Sequence, residues 1–96
     1  MYALIGRVRI KPGHEAQTRA MIVEHGVPMV RSMPGSAGAY WARSLDGNDL
    51  IQHSLWLFDT QEAARQAEAT FKQLRDMPDA PATFLSADVC EVVGQA

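Results

Sequence analysis

One short run, Gln52-His53-Ser54-Leu55-Trp56-Leu57-Phe58, holds most of the side chains able to act on a small molecule. In an extended chain, successive side chains point to opposite faces. Gln52, Ser54, Trp56 and Phe58 then share one face, and Ile51, His53, Leu55 and Leu57 share the other. Aromatic walls with a few polar groups suit a flat organic ligand. Trp56, Phe58 and either Tyr40 or Trp41 can supply the walls, and Gln52 and Ser54 can orient the ligand. The same aromatics can equally form packed core, because they supply much of the buried area of a small domain. His53 can take a proton from a phenol as a neutral imidazole. It can equally be an interface histidine, since Ile51, Leu55 and Leu57 share its face. Arg7 and Arg9 alternate with Ile5, and a buried Arg needs a carboxylate or an anionic ligand. Asp88 and Glu91 are the available mates for such a pair across a dimer.

Other chemistries lack their residues. The three histidines are scattered, with no carboxylate at metal-ligand spacing, so no metal site is expected; no Rossmann fingerprint is present either, and no cofactor is expected. His14 and His25 are expected to face solvent. Cys90 is the single cysteine; it allows no intrachain disulfide and reads as an inert thiol. Pro34-Gly35-Ser36-Ala37-Gly38 leads into a strand and lacks the helix N-terminus of a phosphate cradle. The net charge is −2, with no basic run, which argues against a nucleic-acid partner. No apolar run is long enough to span a membrane. The chain opens directly on a strand pattern, so cytoplasmic residence is expected.

These candidates need elements to hold them. At 96 residues, 1–96 reads as one domain. Residues 2–10 alternate as a first strand, with Leu4, Gly6, Val8 and Ile10 on one face; which face meets the helices stays open. Lys11-Pro12-Gly13 ends it. Ala16, Ala20, Val23, Val27 and Val30 then recur at helical spacing, interrupted by Gly26 and Pro28, which predict a kink or two helical pieces. Residues 37–44 form a second strand, Asp46-Gly47 signals a hairpin, and residues 50–58 form the third strand. Asp59 and Glu62 suggest a capping box before a helix with Ala64, Ala67, Phe71 and Leu74 on one stripe. Pro78 and Pro81 stop it, and a last strand runs to Val93. The order is β-α-β-β-α-β: an α+β, ferredoxin-like fold with a four-stranded antiparallel sheet and both helices on one face. Leu55-Trp56-Leu57-Phe58 is apolar on both sides, so a sheet with one wet face does not fit. Two helices cover one face, and a second copy of the chain is the natural cover for the other.

In order, Lys11-Pro12-Gly13, Val27-Pro28, Pro34-Gly35 and Phe58-Asp59-Thr60-Gln61-Glu62-Ala63 resemble the dimeric α/β-barrel superfamily, in particular the antibiotic biosynthesis monooxygenase type. The resemblance covers nearly the whole chain. It implies a homodimer with paired sheets and a ligand pocket between each sheet and its helices. It also implies oxidation of an aromatic or polyketide-like small molecule without metal or flavin. The alternative is a non-catalytic binding or structural homodimer of the same fold. The chain departs from the family's catalytic pattern at Phe58, where a Trp is usual, at Ser54, where oxygenases carry Asn, and at Ala64, where a Tyr occurs. No His lies between Asp59 and Leu74 to hold haem iron, so haem degradation is not expected.

Overall fold

A computed structural model describes residues 1–96. Strand β1 (Tyr2–Ile10) leads into a helical run made of α1 (Glu15–Met21), a π-helical turn (Ile22–Gly26) and α2 (Val27–Ser32). Strands β2 (Ser36–Arg43) and β3 (Ile51–Phe58) follow, then α3 (Gln61–Lys72), a 3-10 turn (Gln73–Asp76) and β4 (Ala82–Glu91). The strands pair antiparallel in the order β2-β3-β1-β4. This is the ferredoxin-like arrangement expected from the sequence, with strand bounds shifted by about one residue at β2 and β3 and with β4 ending at Glu91 rather than Val93.

Alternation sets the two faces of the sheet. Leu4, Val8 and Ile10 of β1 and Gln52, Ser54, Trp56 and Phe58 of β3 are buried beneath the helices. Ile51, His53, Leu55 and Leu57 lie on the opposite, open face and are half-buried. Tyr40 pairs with Leu55 there, and Ile5 pairs with Leu55 from the other side. Arg7 and Arg9 are exposed on this face, and Arg9 meets Asp49 at 3.5 Å.

Under the helices, Leu4, Val8, Val30, Trp56, Phe58, Ala64, Ala67 and Phe71 form one core cluster. An aromatic row runs through it. Trp41 and Trp56 lie 6.2 Å apart, Trp56 and Phe71 5.6 Å, and Phe71 and Phe84 5.9 Å. These rings come from β2, β3, α3 and β4. The missing contributor is β1, which carries Gly6 at this level, and Phe71 fills the space from above. A Cβ on Gly6 would collide with the Phe71 ring.

Three local expectations are corrected. The first-helix stripe does not hold: Ala16, Ala20 and Val23 are exposed, while Thr18, Ile22 and Val30 face inward. Pro28 has no N–H, and its ring would crowd the carbonyl of Glu24 in an α-turn. The chain widens instead into a π-turn, in which the Val27 N–H donates to the Ile22 carbonyl. The extra residue in that turn rotates the stripe. Asp46-Gly47 does not form a two-residue turn, which would need positive φ at both positions. Only Gly47 has it, at +100°, within a connection over residues 44–50 closed by Ser44 N–H donating to Ile51 O at 2.9 Å. Finally Thr60, not Asp59, caps α3, accepting from the Ala63 N–H at 3.2 Å. The α3 stripe holds, and Glu68 meets Lys72 and Arg65, each at 3.3 Å.

Gly6→Ala is expected to lose about 1–3 kcal/mol, the usual cost of overpacking. Urea denaturation should show it, together with a weakened near-UV circular dichroism band as Phe71 leaves the row. Glu68 gives an acid signature. Partial burial raises its carboxyl, but hydrogen bonds and charge from Lys72 and Arg65 outweigh this and hold it below the ordinary 4.5. The folded state therefore binds fewer protons than the unfolded one in that range, and stability falls as pH drops from about 4.5. Glu68→Gln should flatten that part of the pH–stability curve.

Candidate functional site

Between the sheet and the helices lies a cavity of about 390 Å³. The sheet contributes Val8, Trp41, Gln52, Ser54 and Trp56 to its wall. The first helical run contributes Thr18, Ile22 and Gly26 among others, and Phe71 and Leu74 close it from the far side. Met21, Met29 and Met77 line it while 44%, 40% and 54% exposed, which places them at its mouth. Methionine at a mouth adapts to ligand shape. Most of the wall is apolar.

The sheet's pleat positions the site. Along the β2–β3 ladder, Ala39 faces Trp56, Trp41 faces Ser54, and Arg43 faces Gln52. Alternate rungs point to the same side, so these pairs stack along the cavity floor. Of the candidate residues, Gln52, Ser54 and Trp56 line the cavity. The choice between Tyr40 and Trp41 falls to Trp41. Tyr40 stands on the open face and is 69% exposed, because it lies one residue from Trp41 on an alternating strand. Phe58 is not in the wall. It is fully buried in the core beside Ala64, one rung beyond Trp56. His53 and Arg7 also stay outside. His53 pairs through Nε2 with Ser44 Oγ at 3.1 Å on the open face.

Two wall residues escaped the sequence reading. His25 is exposed, as expected, and it also borders the cavity on the π-turn, beside Gly26. The clue was Gly26 and Pro28 inside one helical run, since π-turns recur at functional sites. Thr18 looked like an ordinary helix-surface residue. Its hydroxyl reaches the His14 and Glu15 carbonyls, both at 3.0 Å, and accepts from Arg43 Nη2 at 2.7 Å. Arg43 Nε also donates to Gln52 Oε1 at 3.3 Å. The Trp56 indole Nε1 is buried without a partner, which costs about 1–3 kcal/mol. No group of His, Cys, Asp and Glu is gathered as a metal site would require.

Sequence comparison decides the family: residues 1–70 match the antibiotic biosynthesis monooxygenase family. This chain belongs to that family. Solved structures share its fold. A candidate antibiotic biosynthesis monooxygenase of Deinococcus radiodurans superposes with a TM-score of 0.75 at 20% identity, over 100% of this chain and 95% of that one. A mutant of MhuD with two manganese protoporphyrin IX molecules bound per active site gives 0.73 at 18% identity, over 100% and 98%. A candidate antibiotic biosynthesis monooxygenase of Chloroflexus aurantiacus gives 0.64 at 20% identity, over 99% and 96%. At these identities the likeness is one of fold. Among curated proteins, none matches.

Within this monooxygenase-family chain, Gly26 is a usable probe of the cavity wall. Its backbone is helical, with φ −63° and ψ −47°, and an added Cβ would lie 3.6 Å from Trp41, an ordinary contact. Gly26→Ala is expected to raise stability by about 0.4–1 kcal/mol through the unfolded state, measured by thermal or urea unfolding.

Proposed function

We propose that the chain is a homodimeric oxygenase that holds a flat aromatic, polyketide-like molecule in the sheet–helix cavity and oxidises it without metal or flavin. One observation carries this reading. A family member has an apolar cavity walled by Trp41 and Trp56, with only a few polar side chains, Gln52, Ser54 and Thr18 among them, to orient a ring. Such a site binds and positions, while the electrons come from the substrate. A phenol or an acidic ring CH2 loses a proton, and the resulting anion transfers electrons to O2. A hydroperoxide forms at the carbon. Loss of water leaves a ketone, so one CH2 and one O2 become one C=O and one H2O. His25 is the imidazole on the cavity wall and can accept the first proton. Cys90 is a free thiol and needs no oxidising compartment, which suits a cytoplasmic protein. No helix is long and apolar enough to cross a membrane.

A second reading, a binding protein without chemistry, has its own support. The positions where the resemblance expects Trp and Tyr hold Phe58 and Ala64, both fully buried in the core. They present nothing to a ligand. For haem, α3 and the turn after it offer the cavity Thr70, Phe71, Gln73 and Leu74, none of them an imidazole. His25 at the mouth is the available nitrogen ligand.

Oxygen uptake with reduced, anthrone-type phenols separates these readings. The oxygenase predicts uptake above the buffer rate, lowered about tenfold or more by Trp56→Phe, as misplacement of a positioned ring entails. Saturable quenching of tryptophan fluorescence without uptake would establish the binding protein instead. A Soret band that shifts on addition of haem and reverts in His25→Ala would replace both with a porphyrin site.

A further inference from the structure

Arg43 is a partly buried guanidinium with no acidic partner. Both its side-chain hydrogen bonds go to neutral oxygens, those of Thr18 and Gln52. Both of those residues line the cavity. The ion pairs of the chain, Arg9–Asp49, Arg65–Glu68 and Lys72–Glu68, lie elsewhere. Its surroundings compensate the charge only in part. Burial and the charge of Arg19 both press the guanidinium toward its neutral form, and the charge of Glu15 opposes them only in part. An arginine keeps its proton at neutral pH, so a positive charge that no ion pair neutralises stands behind one end of the cavity.

The ladder fixes where that charge sits. Arg43–Gln52 is the rung next to Trp41–Ser54, two residues or about 7 Å along the strand. Beyond Trp41–Ser54 comes Ala39–Trp56. A ring held against Trp41 and Trp56 therefore points one edge at Thr18 and Gln52, with the guanidinium behind them. A neutral edge would leave the charge unpaired there. An oxyanion would take a charge-assisted hydrogen bond, about twice as strong as a neutral one.

We propose that the cavity selects anionic aromatic ligands, a carboxylate or stabilised phenolate on a fused ring, through Arg43 acting across the Thr18–Gln52 end. This rests on the cavity reading above and narrows its ligand class. Thr18 and Gln52 hold the guanidinium in place, so Arg43 sets specificity rather than shape.

Matched probes test it. A naphthoate and its neutral amide, naphthamide, are titrated into the protein at pH 7.5 while tryptophan fluorescence is followed. Naphthoate is expected to bind about tenfold tighter, and added salt should shrink the gap. Arg43→Gln should bring the two within about twofold, with the larger loss falling on naphthoate. Should Arg43→Gln fail to fold by circular dichroism, Arg19→Gln, at an exposed site, is expected to narrow the gap about twofold instead. Equal affinities in the unaltered protein would overturn the charge selection and leave the cavity reading standing. A preference that survives in folded Arg43→Gln would overturn the role of that residue. If neither probe quenches Trp41 or Trp56, the cavity reading falls and takes this inference with it.

Discussion

The rest of the structure depends on a sheet that is apolar on both faces with helices enough for one. Phe58, Trp56 and Leu4 sink into the helical side, while Leu55, Leu57 and Ile5 stand opposite on the same strands. Burial of apolar area is the main force available to so short a chain, at about 25 cal/mol per Å². That force aligns β1 and β3 at the sheet centre, because a one-residue slip would exchange the two faces. The β1 glycine then has a clear purpose. Gly6 lets Phe71 descend onto the sheet and complete an aromatic row across all its strands.

The cavity arises where packing gives way. Trp41 and Trp56 form its floor, but the helical run above them widens into a π-turn ahead of Pro28. Gly26 at that turn offers no side chain to fill the gap, and methionines take the mouth. An otherwise costly arrangement, with a buried indole N–H unpaired and an arginine without a counter-ion, sits beside the same gap. Unmet polar groups beside one gap are the features on which the proposed ligand site rests.

Much of this was legible in the chain itself. Strand alternation placed Gln52, Ser54 and Trp56 on one face and His53 on the other, because a period of two leaves little freedom. It could not choose between Tyr40 and Trp41, since neighbours on a strand differ only by register, and register depends on the connection over residues 44–50. It misplaced Phe58 because a shared face does not distinguish a cavity wall from the core one rung further on. The first helix misled most. Its apolar spacing assumed an unbroken α-helix, and one wide turn moved Val23 to solvent and set the exposed His25 at the cavity mouth. Thr18 stayed hidden because its burial is satisfied by Arg43, distant in sequence, and no local pattern reports such a bond.

The open face of the sheet supplies the most direct measurement. Sedimentation equilibrium at micromolar concentration should return twice the chain mass of 10.6 kDa, and Leu55→Glu should return a single chain. A stable monomer of the unaltered protein, with Leu55 and Leu57 in water, would contradict the account at its base.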